Sequence, residues 1–215
     1  MNKPTFIYAY DPLCGWCYGF HPVLQKLRER FADRMNFEIV PGGLATGSRA
    51  ETIRDGYGYI KNSLPQVENV TGVKFGENFK MVVEEGSYFY DSEPPCIAQT
   101  VMKELAPDKA VDFGIRLKIE FFQNGKNMND LKTYEQILQD FEVDLQAFKK
   151  AYESEEFRQK TQNEFDWCKR YGATSFPTLL LKFGKETGVI TRGYRPFEAI
   201  ESHLHHLLNN LEKVT

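Results

Sequence analysis

Four cysteines in 215 residues are too few to staple a secreted scaffold, and only Cys14 and Cys17 lie close together. A structural zinc centre needs four ligands, commonly two such pairs. Cys96 and Cys168 are isolated from each other, so no metal is expected. Long apolar runs are missing too, which excludes a membrane-spanning helix. Charge of neither sign dominates: the net value is −3 with both signs interspersed, which argues against a broad pull toward nucleic acid or anionic lipid. Internal repeats, coiled-coil heptads and low-complexity tracts are absent. The stretch ahead of the first apolar run, Met1-Asn2-Lys3-Pro4-Thr5, is too short for a secretory signal, so the chain reads as cytoplasmic. What remains is a globular composition, 41% apolar with 17 phenylalanines, long enough to bury a sizeable core.

The cysteine pair sits in an informative context. Phe6-Ile7-Tyr8-Ala9-Tyr10 is a nearly continuous apolar run, as expected of a strand covered on both faces, and Asp11-Pro12 ends it. Cys14-Gly15-Trp16-Cys17 follows and opens a helix whose apolar positions Phe20, Val23, Leu24, Leu27 and Phe31 recur at helical spacing. Two cysteines at this spacing place both sulfurs on one face. The first stands where unpaired backbone N–H groups and the helix dipole favour a thiolate. A thiolate attacks disulfides, and a second thiol within reach resolves the mixed disulfide that results.

Three stretches are distinguishable. The first continues through the strand Asn36–Val40 to Pro41-Gly42-Gly43, giving strand–helix–strand and hence a parallel crossover. The last begins near residue 173. It contains the apolar run Thr178–Leu181, a turn at Gly184-Lys185-Glu186-Thr187, a hairpin partner Gly188–Thr191, and a helix opened by Pro196 with the stripe Ile200, Leu204, Leu207, Leu208 and Leu211. Between them almost every segment reads as helix: a run from Pro94-Pro95 to Leu105, another from Lys109 to Phe122, and a final one ending near Gly172. Thr133 with Gln136 suggests a capping box, and Asp144 an N-cap. Tyr88-Phe89-Tyr90 suits either a substrate groove or internal aromatic packing.

This order, with Pro22 five residues beyond Cys17 and Ser175-Phe176-Pro177-Thr178 ahead of the third strand, resembles the DsbA-like branch of the thioredoxin superfamily. Within that branch it is similar to the cytosolic FrnE-like group, and the likeness covers essentially the whole chain. The resemblance implies an α/β, thioredoxin-like fold with a large all-helical insertion. Residues 1–43 and 173–215 would form a discontinuous thioredoxin-like domain, and residues 44–172 the inserted one. It also implies a cis Phe176–Pro177 bond facing the sulfurs, with Ser175, Phe176, Pro177 and Trp16 binding substrate.

The function so implied is thiol–disulfide exchange with protein or peptide thiols and disulfides, in the manner of an oxidoreductase or disulfide isomerase. Cys14 would be the exposed nucleophile and Cys17 the buried resolving thiol. A redox-active Cys14–Cys17 disulfide would stand in place of a bound cofactor, with glutathione a candidate co-substrate. Thioredoxins bury an acid where this chain has Tyr8, so Tyr8 and Asp11 become accessory candidates for handling a proton, and His21 a candidate beside the site. Two alternatives stand: a glutathione-dependent transferase or isomerase of the kappa type, which uses serine at the place of Cys14, and a non-catalytic binding module. Cys96 and Cys168 read as buried small apolar residues, and His203, His205 and His206 as a helix face.

Overall fold

In the computed structural model, which describes residues 3–214 (57–59 and 212–214 by backbone only), β1 (Thr5–Tyr10) is the strand on which the fold turns. Met1, Asn2 and Thr215, the outer ends of the expected division, lie outside the described residues. β1 pairs in parallel with β2 (Asn36–Pro41) and antiparallel with β5 (Thr178–Phe183), which pairs in turn with β6 (Glu186–Arg192), giving the order β2-β1-β5-β6. Alternation along β1 sends Phe6, Tyr8 and Tyr10 to one face and Ile7 and Ala9 to the other. Both faces are covered, which is why the run is almost wholly apolar. On the Tyr8 face lie α1 (Gly15–Phe31) and α9 (Phe197–Val214), burying Phe20, Leu24, Leu27, Phe31, Ile200, Leu204 and Leu208. Cys168 of α8 (Glu155–Arg170) packs on the other face with Ala173.

The hairpin is tighter than the sequence suggests. β6 starts at Glu186, leaving only Gly184 and Lys185 in the turn. Gly184 has φ +59°, as a two-residue turn with glycine first requires, so Glu186 and Thr187 are free to join the ladder.

Residues 44–172 are mainly helical: α2 (Ile53–Thr71), α3 (Glu77–Glu85), α4 (Glu93–Leu105), α5 (Ala110–Phe122), α6 (Leu131–Leu138), α7 (Leu145–Tyr152) and α8. The expectation of an all-helical insertion is corrected at one place: β3 (Glu51–Thr52) and β4 (Phe89–Tyr90) form a short antiparallel ladder. Two residues per strand are too few for any periodicity to show. A second correction concerns α6. Asp130, not Thr133, is its N-cap, accepting from the Lys132 amide at 3.0 Å, while Thr133 donates its hydroxyl to the Asn127 carbonyl. Asp144 does cap α7, accepting from the Gln146 and Ala147 amides.

α5 connects the two cores. Phe113, Leu117 and Phe121 enter an aromatic-rich helical core with Phe79, Tyr134 and Phe148, whereas Ala110, Val111 and Ile115 pack on the sheet. Gly114 permits that approach. A β-carbon there would stand 2.4 Å from Ile39 Cδ1 and 3.0 Å from the Tyr10 hydroxyl. One turn further on, Lys118 is carried to the same surface.

Candidate active site

Cys14 is the N-cap of α1. Its extended backbone (φ −82°, ψ 115°) turns Sγ back to accept the Cys17 amide at 3.3 Å, the place a serine or aspartate usually takes. The two thiols are free and buried. Across the gap, 162 residues away in sequence, the loop before β5 brings the Phe176 carbonyl to 3.5 Å from Cys14 Sγ, which donates to it. The Phe176–Pro177 bond is cis. Pro177 is buried, Phe176 half-buried and Ser175 exposed, and the half-buried Trp16 lies 6.5 Å from the Tyr194 ring. Gly42 seats the loop: a β-carbon there would fall 2.0 Å from the Phe176 ring.

Burial differs from expectation. Cys14 is only 5% exposed and Cys17 is 0% exposed, both within a buried cluster against which Phe176 and Trp16 pack. Burial pushes the Cys14 thiol well up from its ordinary value, and the neighbouring Cys17 side chain adds to this. The Cys17 amide opposes them. The helix start alone therefore does not leave Cys14 as a thiolate in the resting dithiol, in contrast to the simple dipole expectation.

The accessory candidates separate. Tyr8 is fully buried, and its hydroxyl donates to the Cys17 carbonyl at 3.2 Å. Burial, then the two cysteines, raise its pKa well above the phenol value, so it stays protonated. Asp11 is a loop anchor. Its carboxylate accepts the Leu13 amide at 2.9 Å, the Leu44 amide at 2.6 Å and the Ser92 hydroxyl at 3.0 Å. His21 serves the helix: Pro22 cannot donate to the Tyr18 carbonyl, and His21 Nδ1, protonated, reaches that oxygen at 2.6 Å. Burial, then Lys118, lower its pKa to about 4, so it is neutral near pH 7.

Cys96 is 3.9 Å from Asp11 Oδ2, buried, with burial and that carboxylate raising its pKa well above the ordinary thiol value. Its helix start confers no thiolate. Tyr88 and Tyr90 pack on Phe121, and Tyr90 donates to the Leu13 carbonyl, while Phe89 is 47% exposed. Sequence reasoning missed Gly42, Tyr194 and Lys118. Only Lys118 carried a signal, a lysine falling on the same helix stripe as Val111, Ile115 and Phe122.

A family model described as Thioredoxin matches residues 6–202. The chain belongs to the thioredoxin family. Its DsbA-like branch is the one the architecture matches. A candidate protein disulfide isomerase from Nitrosomonas europaea is 26% identical, with 97% of this chain and 99% of that one aligned at a TM-score of 0.85. The cytosolic disulfide reductase DsbM from Pseudomonas aeruginosa, whose structure is also known with GSH, is 22% identical over 95% of this chain and 98% of its own at a TM-score of 0.80. Among curated proteins, the ClpXP adapter protein SpxH of Bacillus subtilis is 21% identical over 187 residues, 83% of this chain. The chain spans 58% of the length of that relative. This thioredoxin-family protein thus has the fold of thiol–disulfide oxidoreductases. Among its described residues, no helix is long and apolar enough to cross a membrane.

Proposed function

We propose that the protein is a thiol–disulfide oxidoreductase acting on protein or peptide disulfides, with Cys14 as nucleophile, Cys17 as resolving thiol and glutathione as co-substrate. The observation that carries the reading is the placement of Cys14 Sγ 3.5 Å from the Phe176 carbonyl beside cis Pro177. An extended peptide can add beside such a backbone edge, presenting its sulfur to Cys14. Half-buried Trp16, Phe176 and Tyr194 supply apolar surface around that edge, with exposed Ser175 at its rim. In the reducing direction the Cys14 thiolate attacks a substrate disulfide. A Cys14–substrate S–S bond forms, the old S–S bond breaks, and the first substrate sulfur leaves as a thiolate that takes a proton from water. Cys17, giving its proton to solvent, then attacks Cys14 and expels the second sulfur, leaving a Cys14–Cys17 disulfide. Two equivalents of glutathione return that disulfide to the dithiol and are themselves oxidised to glutathione disulfide. The solved DsbM–GSH structure makes glutathione the natural reductant to try.

Residues 1–43 plus 173–215 as one unit, with 44–172 inserted, fit this reading, since the former carry both sulfurs and the proline loop. Reduction of insulin by glutathione or dithiothreitol tests it: wild type accelerates precipitation and Cys14→Ser does not. A wild-type protein inert toward insulin and toward mixed glutathione disulfides overturns the reading. The similarity to an adapter protein favours one alternative, a partner-binding module in a cytoplasmic setting. Undiminished partner binding by Cys14→Ser, with no exchange activity in wild type, would establish that alternative.

A further inference from the structure

Lys118 stands out because nothing in the fold accounts for it. It is 0% exposed, on the sheet-facing side of α5, and its Nζ lies 4.8 Å and 5.0 Å from the centres of the Tyr8 and Tyr10 rings. No carboxylate among the described residues forms an ion pair with it. Among the described residues its single hydrogen-bond partner is the Tyr8 hydroxyl at 3.3 Å, which in turn donates to the Cys17 carbonyl. The titratable groups facing it are Tyr8 and Tyr10 from β1, and Cys14, Cys17 and His21 from α1. Of these, Tyr8 and Tyr10 stay protonated and His21 is neutral, which leaves the two sulfurs to offer it negative charge.

A buried ammonium without an anion is expensive, and proteins seldom keep one that does nothing. Against Cys17 lies Tyr8, with the Lys118 ammonium over the face of its ring. We propose that the Lys118 ammonium, held through Tyr8 beneath the Cys14–Cys17 pair, is the buried counter-charge that stabilises the thiolate formed there during disulfide exchange. The inference rests on the oxidoreductase reading of the pair and extends it to a positioning residue from the helical insertion. It also meets a need: burial holds the Cys14 thiol protonated, and the Cys17 amide is a weak offset. When the thiol releases its proton to solvent, the negative sulfur gains a partner already desolvated and already in place. The cysteines raise the Lys118 pKa, and by reciprocity the same attraction lowers that of the sulfurs.

The test measures alkylation of Cys14 by a small haloacetamide at pH ~7, where Lys118 is charged, in the reduced Cys17→Ala protein. Lys118→Met, close in volume and uncharged, is expected to slow it by about tenfold, the effect of one pH unit on the thiolate fraction. Lys118→Arg, which restores the charge, is expected to bring the rate back to within about threefold of the lysine form. Equal rates with lysine and with methionine overturn the proposal. Should either variant fail to fold, the wild type suffices. By reciprocity of linkage, the Lys118 ammonium, followed by NMR, titrates at higher pH in the dithiol than in the Cys14–Cys17 disulfide. The same midpoint in both redox forms also overturns the proposal. Neither readout needs turnover. A shifted titration in a protein without exchange activity would remove the enzymatic reading alone, and turnover with an unshifted titration would remove the counter-charge alone.

Discussion

Replacing Lys118 with methionine should make the folded protein more stable, an unusual outcome for a buried position. Burial lowers the Lys118 pKa from 10.5 to about 8, with the cysteines pulling it partly back. At about 1.4 kcal/mol per pH unit, that drop withholds about 3 kcal/mol of stability while Lys118 is charged. The sign follows from proton counting. Between pH ~8 and ~10.5 the unfolded lysine holds a proton that the folded one has released, so stability from this group rises with pH across that window. Below ~8 both states are charged and the penalty is constant. Methionine removes the charge and fills nearly the same volume beneath the two tyrosine rings, as in other replacements of buried ionic groups by apolar ones. Urea unfolding of the reduced protein should therefore show Lys118→Met more stable than wild type by about 1–3 kcal/mol at pH ~7, the gap closing toward pH ~10.5. The cysteines also titrate at high pH and are coupled to Lys118, so both proteins are compared with Cys14 and Cys17 replaced by alanine. A variant less stable than wild type at pH ~7, or a gap that does not narrow as pH rises, would refute the reasoning.

Three other outcomes follow from the site geometry. Asp11→Ala strands the Leu13 and Leu44 amides and the Ser92 hydroxyl in the core; it should cost about 2–5 kcal/mol by denaturant unfolding, and a loss below ~1 would contradict the anchoring role. Gly42→Ala forces the Phe176 ring aside, so it should cost about 1–3 kcal/mol and weaken peptide binding beside Cys14; retained affinity would show that Phe176 does not define that edge. With Cys14 and Cys17 both replaced by alanine, the native protein should resist thiol reagents near neutral pH, because Cys96 is sealed and burial raises the Cys168 thiol to about 12; rapid labelling of either would disprove their inert packing.

Much of this architecture was legible because local chemistry and tertiary role coincide. β1 reads as apolar throughout because α1 and α8 cover its two faces, and Asp144 reads as a cap because it has no nearer competitor for the α7 amides. Thr133 misled for the opposite reason: Asp130 stands at the end of the preceding turn and takes the cap, freeing the threonine to bond Asn127. The cysteine pair was visible in sequence, but its environment was not. The carbonyl over Cys14 comes from Phe176, far along the chain, and its burial reverses the expectation drawn from the helix start. Lys118 shows the same limit. Sequence marks a lysine among Val111, Ile115 and Phe122, but only the folded chain puts it behind Tyr8.

The account stands most directly on which sulfur reacts with substrate. Cys17→Ala protein, incubated with a peptide disulfide and digested under acid quench, should yield one mixed disulfide per chain, located by mass spectrometry at Cys14. An adduct at Cys96 or Cys168, or none under conditions where free glutathione exchanges with the same peptide, would contradict it.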